Sequence, residues 1–208
     1  MLASACAAEA GPDKVISSRE AEKLFPAIAE MVMKQEPFPQ DAKVKIELAG
    51  GGAIEVHMGD EARVIVPVRI RFDRVANSYC RLAVIDRAKS TAELVPLPVN
   101  ADHDNCQGMR KMAAVDINHD GVTDLVFLVE IPSNRFSATV SEGAVYLSQL
   151  KGRKTYCYAP GASSVVASDT PADPERLRAL IETAVSRRGE QVLDCFSPPK
   201  GSPSAPRQ

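Results

Sequence analysis

Acidic and amide side chains alternate in one short segment near the middle of the chain. Carboxylate or amide oxygens stand at its first, third and fifth positions, Asp116, Asn118 and Asp120, and Gly121 follows them. Side chains at these positions of a tight loop point inward together, and a glycine suits the sharp turn because it has no Cβ. Asp124 adds a further carboxylate. Hard oxygen donors of this kind suit calcium rather than zinc or copper, so the segment predicts a calcium site.

Two kinds of calcium loop begin in this way, and the residues further along distinguish them. An EF-hand carries a glutamate at the twelfth position of its loop, where this chain has Phe127. The flanking residues 111–115 and 125–131 are short apolar runs rich in β-forming residues, so the loop is predicted to join two strands. The pattern D-x-N-x-D-G-x-x-D-L resembles the calcium loop of FG-GAP and VCBS repeats, the blade units of integrin-type propellers.

The resemblance implies a set of ligands and covers only the loop. The implied ligands are the side chains of Asp116, Asn118, Asp120 and Asp124 and the backbone carbonyl of Val122. Those families repeat the motif blade after blade, whereas this chain contains it once, so the resemblance implies the loop and not a propeller. The alternative is a polar turn without a metal, because Asp-Gly alone is a strong hairpin signal. Four oxygen side chains at the correct spacing exceed what such a turn requires.

Size and composition indicate one domain of ordinary size. The chain has 208 residues, of which 45% are hydrophobic, which is enough for a core. Its net charge is −2 and residues of both signs are dispersed, so no nucleic-acid partner is expected. Residues 1–14 are interpreted as a signal-like or lipoprotein-like remnant or a linker, residues 15–196 as a single domain, and residues 197–208 as a disordered Pro/Ser-rich tail.

Four of the five cysteines are predicted to form two disulfides. None of the cysteines stands in a C-x-x-C pair, and setting Cys6 aside leaves an even number. In an oxidising compartment the four can pair in three ways, and the preferred pairs are Cys80–Cys106 and Cys157–Cys195, each of which closes a modest loop. The alternative is four buried free thiols in a cytosolic protein, because free cysteine is a common core residue.

The first residues of the chain indicate export. Residues 1–10 are small and alanine-rich and resemble the cleavage end of a secretory signal without its apolar stretch. Residues 3–6 resemble a lipobox in which Cys6 would be lipidated, although Ala3 stands where leucine is usual. No stretch approaches the length of a transmembrane helix. These features predict a periplasmic or secreted protein whose attachment to a membrane would be through a lipid anchor at Cys6.

The remaining pattern predicts an α+β domain. We expect one antiparallel sheet, a meander of about seven to nine strands, with an N-terminal and a C-terminal helix at its two ends. A capping box at Ser17–Glu20 opens a helix to about Lys34, which Pro26 either kinks or splits in two. The last helix begins after Asp173. Residues 43–58 are predicted to form a hairpin that turns at its glycines. The predicted strands are 43–48, 53–58, 62–72, 79–85, 92–97, 111–115, 125–131, 143–150 and 154–159.

Catalysis is unsupported by the sequence rather than excluded. The chain contains no G-x-S-x-G, H-E-x-x-H, P-loop or Rossmann fingerprint. Ser148 and Lys151 match S-x-x-K by letter, but in a strand that ends at a turn rather than on one helical face. His103, between Asp102 and Asp104, is a candidate ligand for a transition metal, whereas such clusters are more often solvated loops. His57, at the end of a strand, is expected to be a surface or edge histidine, and His119 is expected to point away from the calcium loop.

We therefore expect a calcium-binding, disulfide-stabilised exported protein that acts as a protein-binding module, of the inhibitor or immunity-protein type. This expectation is an analogy of size, compartment and disulfides. The alternative is a hydrolase with a structural calcium site and an unrecognised active site. A binding module should expose an apolar or charged patch, whereas an enzyme should have a cleft that contains perturbed acids or a histidine.

Overall fold

The computed structural model describes residues 14–35, 42–50, 52–73, 75–98, 105–132, 139–150 and 154–198. The strands are β1 (Lys14–Ile16), β2 (Val44–Leu48), β3 (Ala53–Met58), β4 (Glu61–Phe72), β5 (Ser78–Asp86), β6 (Thr91–Leu94), β7 (Gly108–Val115), β8 (Asp124–Pro132), β9 (Thr139–Gln149) and β10 (Thr155–Tyr158). The α-helices are α1 (Ser18–Glu22), α2 (Phe25–Gln35), α3 (Pro160–Ser163) and α4 (Pro174–Arg188), and a short 3-10 helix spans Glu190–Leu193. The lipobox with Cys6, the 102–104 cluster, Lys151 and residues 199–208 of the predicted tail lie outside the described residues.

The strands form two antiparallel sheets. The first sheet has the order β1-β3-β4-β5-β6, with β2 also paired to β4, and the second has the order β10-β9-β8-β7. Leu48 of β2 pairs with Val68, and Ile54 of β3 pairs with Ile65, so β2 and β3 follow one another along the same side of β4. The predicted hairpin over residues 43–58 is therefore wrong, because both of its strands pair with the long strand β4.

The two sheets pack face to face, and helices cover their outer faces. Ile65 and Leu82 of the first sheet share one core with Phe127 and Tyr146 of the second. The predicted α+β class and antiparallel pairing agree with the structure, whereas the number of strands and the place of the helices differ. The described residues form ten strands in two sheets, instead of about seven to nine strands in one sheet. The helices lie on the faces of this sandwich rather than at the ends of one sheet.

Each outer face has a core of its own. Ile28 and Val32 of α2 pack against Val66 of β4 on the first sheet. On the second sheet, Leu177 of α4 packs in one cluster with Val126 of β8. Both faces of each sheet are therefore covered, and the central strands are buried on both sides. This is why β4 has a run of six consecutive buried residues. A strand with one face exposed to solvent would instead alternate buried and exposed residues.

Close backbone contact joins the sheets at one end of the sandwich. The N–H of Met109 on β7 donates to the carbonyl of Ala49 over 2.6 Å. The next residue, Gly50, has a φ of +111°, and a Cβ placed there would lie 2.9 Å from the carbonyl oxygen of Met109. Glycine is required here because it tolerates the left-handed backbone and leaves room for the second sheet.

Polar contacts join the sheets near the turn between β3 and β4. Arg63 forms an ion pair of 3.1 Å with Asp86, and its Nε donates to the carbonyl of Lys154 over 3.2 Å. The ammonium of Lys154 in turn contacts Asp60. The guanidinium of Arg63 is nearly buried, so its pairing with a carboxylate satisfies a charge that would otherwise be costly to remove from water.

The helix ends agree with their sequence signals. The side chain of Ser17 accepts the N–H of Glu20 and caps α1, and the helical run restarts as α2, with Pro26 in its first turn. The predicted first helix is therefore split in two, which is one of the two outcomes expected from Pro26. Asp173 caps α4 by accepting the N–H of Arg176, as predicted for the last helix.

Two disulfides crosslink the fold, and they are the pairs preferred from the sequence. Cys80–Cys106 joins β5 to the segment that precedes β7, so it links the first sheet to the second. Cys157–Cys195 joins β10 to the segment after the 3-10 helix. Each bond closes a loop of ordinary length, with sequence separations of 26 and 38 residues. Bonds of this kind stabilise a native state by about 2–4 kcal/mol.

Candidate metal-binding loop

The segment with alternating oxygen side chains lies between β7 and β8, as its flanking apolar runs predict. Two apolar residues within it fix its path. Ile117 is buried in the core between the second sheet and α4, and Val122 is buried in the core between the two sheets. Left-handed backbone at His119 (φ +56°) and Gly121 (φ +84°) turns the chain back on itself. The loop is thereby anchored on both sides of the second sheet.

Backbone amides of the loop bond to its own side chains. The two carboxylate oxygens of Asp116 accept the N–H groups of Asp120 and Gly121 over 3.2 and 3.0 Å. Asn118 Oδ1 accepts the N–H of Asp120 over 3.1 Å, and Asp120 Oδ1 accepts that of Val122 over 2.9 Å. The oxygens of the first, third and fifth positions therefore lie on the inner side of the turn, where the spacing places them.

Asp124 is fully buried at the start of β8. Its Oδ2 accepts the N–H groups of Ile117 and Asn118 over 2.7 and 3.1 Å, and its Oδ1 accepts that of Ser148 over 2.6 Å. Burial raises the pKa of this carboxyl to about 6, and the three amide donors oppose that rise. A buried carboxyl with a strongly shifted pKa is typical of functional sites, although structural networks also produce such shifts.

Ser148 on β9 is a part of the site that sequence analysis missed. Its hydroxyl donates to both carboxylate oxygens of Asp120, over 3.0 and 2.8 Å, and its carbonyl accepts Asn118 Nδ2 over 3.2 Å. Its side chain is almost completely buried. The sequence analysis considered Ser148 only in the S-x-x-K match with Lys151, which it did not favour. The signal for a structural role is a serine inside an otherwise apolar stretch of strand.

In the described part of the chain, no lysine or arginine balances the three carboxylates of the loop. Asp116, Asp120 and Asp124 form no ion pair with any described lysine or arginine, and Glu182 on α4 lies near His119 rather than near these carboxylates. In the same part of the chain, no group of three or more histidine, cysteine, aspartate or glutamate side chains is arranged to hold a metal ion. The types of donor therefore fit a hard cation, whereas the carboxylates are turned towards backbone amides.

The other predicted site residues lie apart from this loop or outside the described residues. His119 points outward as predicted, and its Nε2 lies 3.4 Å from Glu182 Oε1 on α4. His57 is exposed on β3, which favours the prediction of a surface histidine. His103 and its acidic neighbours lie outside the described residues, so their role as ligands of a transition metal stays a prediction.

No family model, curated protein or solved structure compared with the chain matches it. Among the described residues, no helix is both long enough and apolar enough to cross a membrane.

Proposed function

We propose that this protein is an exported calcium-binding protein, crosslinked by its two disulfides, that acts as a binding module for a protein partner. The observation that carries the proposal is the loop between β7 and β8, where oxygen side chains at calcium-loop spacing line a turn and pair with no described lysine or arginine. The proposed ligands are the side chains of Asp116, Asn118, Asp120 and Asp124 and the carbonyl of Val122.

Calcium would supply the positive charge that these carboxylates lack. Asp124 Oδ2 already accepts two N–H groups, so Oδ1, with one donor, is the oxygen that retains a lone pair for a cation. Each oxygen of Asp116 likewise accepts one N–H. Partly buried carboxylates in a loop with oxygen donors suit calcium better than magnesium, because calcium accepts irregular geometry and magnesium requires a near-ideal octahedron.

Two observations support export and a protein partner. The disulfides are typical of secreted and periplasmic proteins, since cytosolic thiols are kept reduced. Among the described residues, Val15 and Val140 are the exposed large hydrophobic side chains, so this surface would recognise a partner by charge and hydrogen bonds.

The charged patch that best fits such a partner lies across β2 and β4. Lys45, Arg69 and Arg71 surround the carboxylate of Glu47, so the described ion pairs of this patch carry an excess of positive charge. An acidic surface on a secreted enzyme or toxin is the chemistry that this patch complements, in keeping with an inhibitor or immunity-type role.

The test of calcium binding is the thermal melt of the oxidised protein in calcium, in magnesium and in EDTA. We expect calcium to raise the melting temperature, because a ligand that binds only the native state stabilises it by about 2.7 kcal/mol at a hundredfold excess over its Kd. Asp120→Ala should lose this increment. Asp169→Ala, which removes an exposed carboxylate from a turn between α3 and α4, should retain it.

The magnitude of the increment separates the proposal from the polar-turn alternative. Each variant is compared with itself in EDTA, so a lower starting stability of Asp120→Ala does not affect the comparison. Equal melting temperatures of the wild type in calcium and in EDTA would show that the segment is a turn held by its own hydrogen bonds.

A further inference from the structure

Three of the proposed calcium ligands contact one residue on a different strand. Ser148 reaches Asp120 through its hydroxyl, Asp124 through its N–H and Asn118 through its carbonyl. These partners precede it in the chain by 24 to 30 residues. We propose that Ser148 is the positioning residue of the loop, the group that orients these side chains for calcium. This inference rests on the proposed function.

The chemistry of each contact explains what Ser148 fixes. A hydroxyl has one proton, and here that proton lies between the two oxygens of Asp120, so it sets the direction of the carboxylate. The carbonyl of Ser148 accepts the amide nitrogen of Asn118 and thereby directs Asn118 Oδ1 the other way, into the loop. The N–H of Ser148 occupies one lone pair of Asp124 Oδ1.

The strand that carries Ser148 is a rigid support. β9 pairs with β8 on one side and with β10 on the other, and Tyr156 of β10 lies opposite Ser148. Tyr156 also donates its hydroxyl to the carbonyl of Thr123 over 2.6 Å, so β10 holds the end of the loop as well. Outer groups that orient metal ligands typically change metal affinity by about 10- to 100-fold when they are removed.

Burial decides between a positioning role and a reactive one. Ser148 is 3% exposed, so a substrate has no access to its hydroxyl through the described surface. The hydroxyl donates its proton to Asp120 and binds no histidine or lysine in the described part of the chain. It therefore acts through Asp120 instead of serving as a nucleophile.

The decisive experiment measures the calcium Kd by calorimetry at pH 7.5, well below the melting temperature, for the wild type and Ser148→Ala. The substitution removes the hydroxyl and keeps both backbone contacts. We expect a loss of affinity of about 10- to 100-fold. Ser163→Ala is the matched control, because Ser163 is also buried and its hydroxyl bonds to Val145 and Ala159, neither of which belongs to the loop. It should lower stability without changing the Kd.

A measurement on the wild type covers the case in which Ser148→Ala does not fold. Calcium should shift the NMR resonance of the Ser148 amide strongly, because that amide bonds to a ligand, and should leave the Val145 amide, which bonds to Ser163, nearly unchanged. An unshifted Ser148 amide at saturating calcium would overturn the inference.

The outcomes also separate this inference from the proposed function. A wild type that binds no calcium would overturn the proposed function and this inference with it. A wild type that binds calcium, with the same Kd in Ser148→Ala, would overturn the inference alone. Equal losses of affinity in Ser148→Ala and Ser163→Ala would show a general effect of lost stability, and would also overturn it.

Discussion

The amide of Ser148 on β9 donates to Oδ1 of Asp124 on β8 over 2.6 Å, across 24 positions of sequence. The same carboxylate accepts two amides of the loop through its other oxygen, at Ile117 and Asn118. Asp124 therefore joins the loop to the neighbouring strand as well as closing the turn. A local motif on a hairpin is in this way tied to the centre of the second sheet.

Asp124→Asn should destabilise the protein even in EDTA, by about 1–3 kcal/mol. Both carboxylate oxygens accept backbone N–H groups, so either orientation of an asparagine side chain places an NH2 group against a backbone donor. The residue is buried, so water cannot relieve the conflict. The measurement is urea unfolding at pH 7.5, above the pKa of about 6 that burial gives this carboxyl.

Asp116→Asn is the comparison for that experiment. Asp116 also accepts two amides, but it is only partly buried, and its side chain can turn towards solvent. Its loss of stability in EDTA should therefore be smaller. A smaller loss for Asp124→Asn than for Asp116→Asn would contradict the structural role assigned to Asp124.

Tyr146→Phe should leave the stability unchanged or raise it by about 1 kcal/mol. The substitution removes a buried hydroxyl that has no partner among the described residues, so it breaks no hydrogen bond there and removes the cost of burying that polar group. The hydroxyl of Tyr146 is completely buried and has no hydrogen-bond partner in the described residues. Its ring packs edge-to-face against Phe127 and Tyr158, and phenylalanine keeps those contacts. Thermal unfolding of the variant measures the change.

The control for Tyr146 lies on the adjacent strand. Tyr156 is also buried, and its hydroxyl donates to the carbonyl of Thr123 over 2.6 Å. Tyr156→Phe should therefore lose about 1–2 kcal/mol, since it breaks a bond and leaves a carbonyl unpaired. Similar losses for the two substitutions would show that the Tyr146 hydroxyl is satisfied in solution.

Local sequence patterns predicted the elements of this fold better than their assembly. Alternating residues, the Ser17 and Asp173 caps and the flanks of the loop are local signals, and the elements form close to where those signals place them. Pairing of distant strands has no local signal. The glycines at 50–52 predict a turn between β2 and β3, but both strands pair with β4 because it is long enough for two partners.

In the candidate site, too, the local part could be predicted from the sequence and the long-range part could not. Asp116, Asn118 and Asp120 belong to one short segment, so the position of their side chains on the inner side of a turn could be predicted from their spacing. Ser148 follows the loop by many residues and meets it only because β9 pairs with β8. A buried polar side chain in an apolar strand generally forms a hydrogen bond, but the sequence does not indicate which residue is the partner.

Glu47 should stabilise the protein at neutral pH and lose this effect in acid. A hydrogen bond from Lys45, followed by one from Arg69, lowers the pKa of Glu47 from 4.5 to about 2. The folded state therefore binds fewer protons than the unfolded state between these values, and its stability rises with pH there. Glu47→Gln should cost up to about 1 kcal/mol at pH 7, since the group is partly exposed to solvent.

The pH series checks this sign. The difference in unfolding free energy between the wild type and Glu47→Gln should shrink as the pH falls from 4.5 to about 2. Glu22→Gln is the control, because Glu22 is exposed and forms no ion pair in the described residues. A difference for Glu47→Gln that stays constant over this range would show that the lysine and arginine contacts do not persist in solution.

The two disulfides should be reduced in a fixed order under native conditions. Cys80 and Cys106 are both completely buried between the sheets, whereas Cys195 is partly exposed after the 3-10 helix. A thiolate must reach a sulfur atom to attack it, so limiting reductant should open Cys157–Cys195 first. Alkylation of the new thiols followed by mass spectrometry identifies the opened bond. In urea, where burial is lost, the preference for one disulfide should disappear. If Cys80–Cys106 is reduced first in the native protein, local opening between the sheets controls access to the sulfur atoms instead of static exposure.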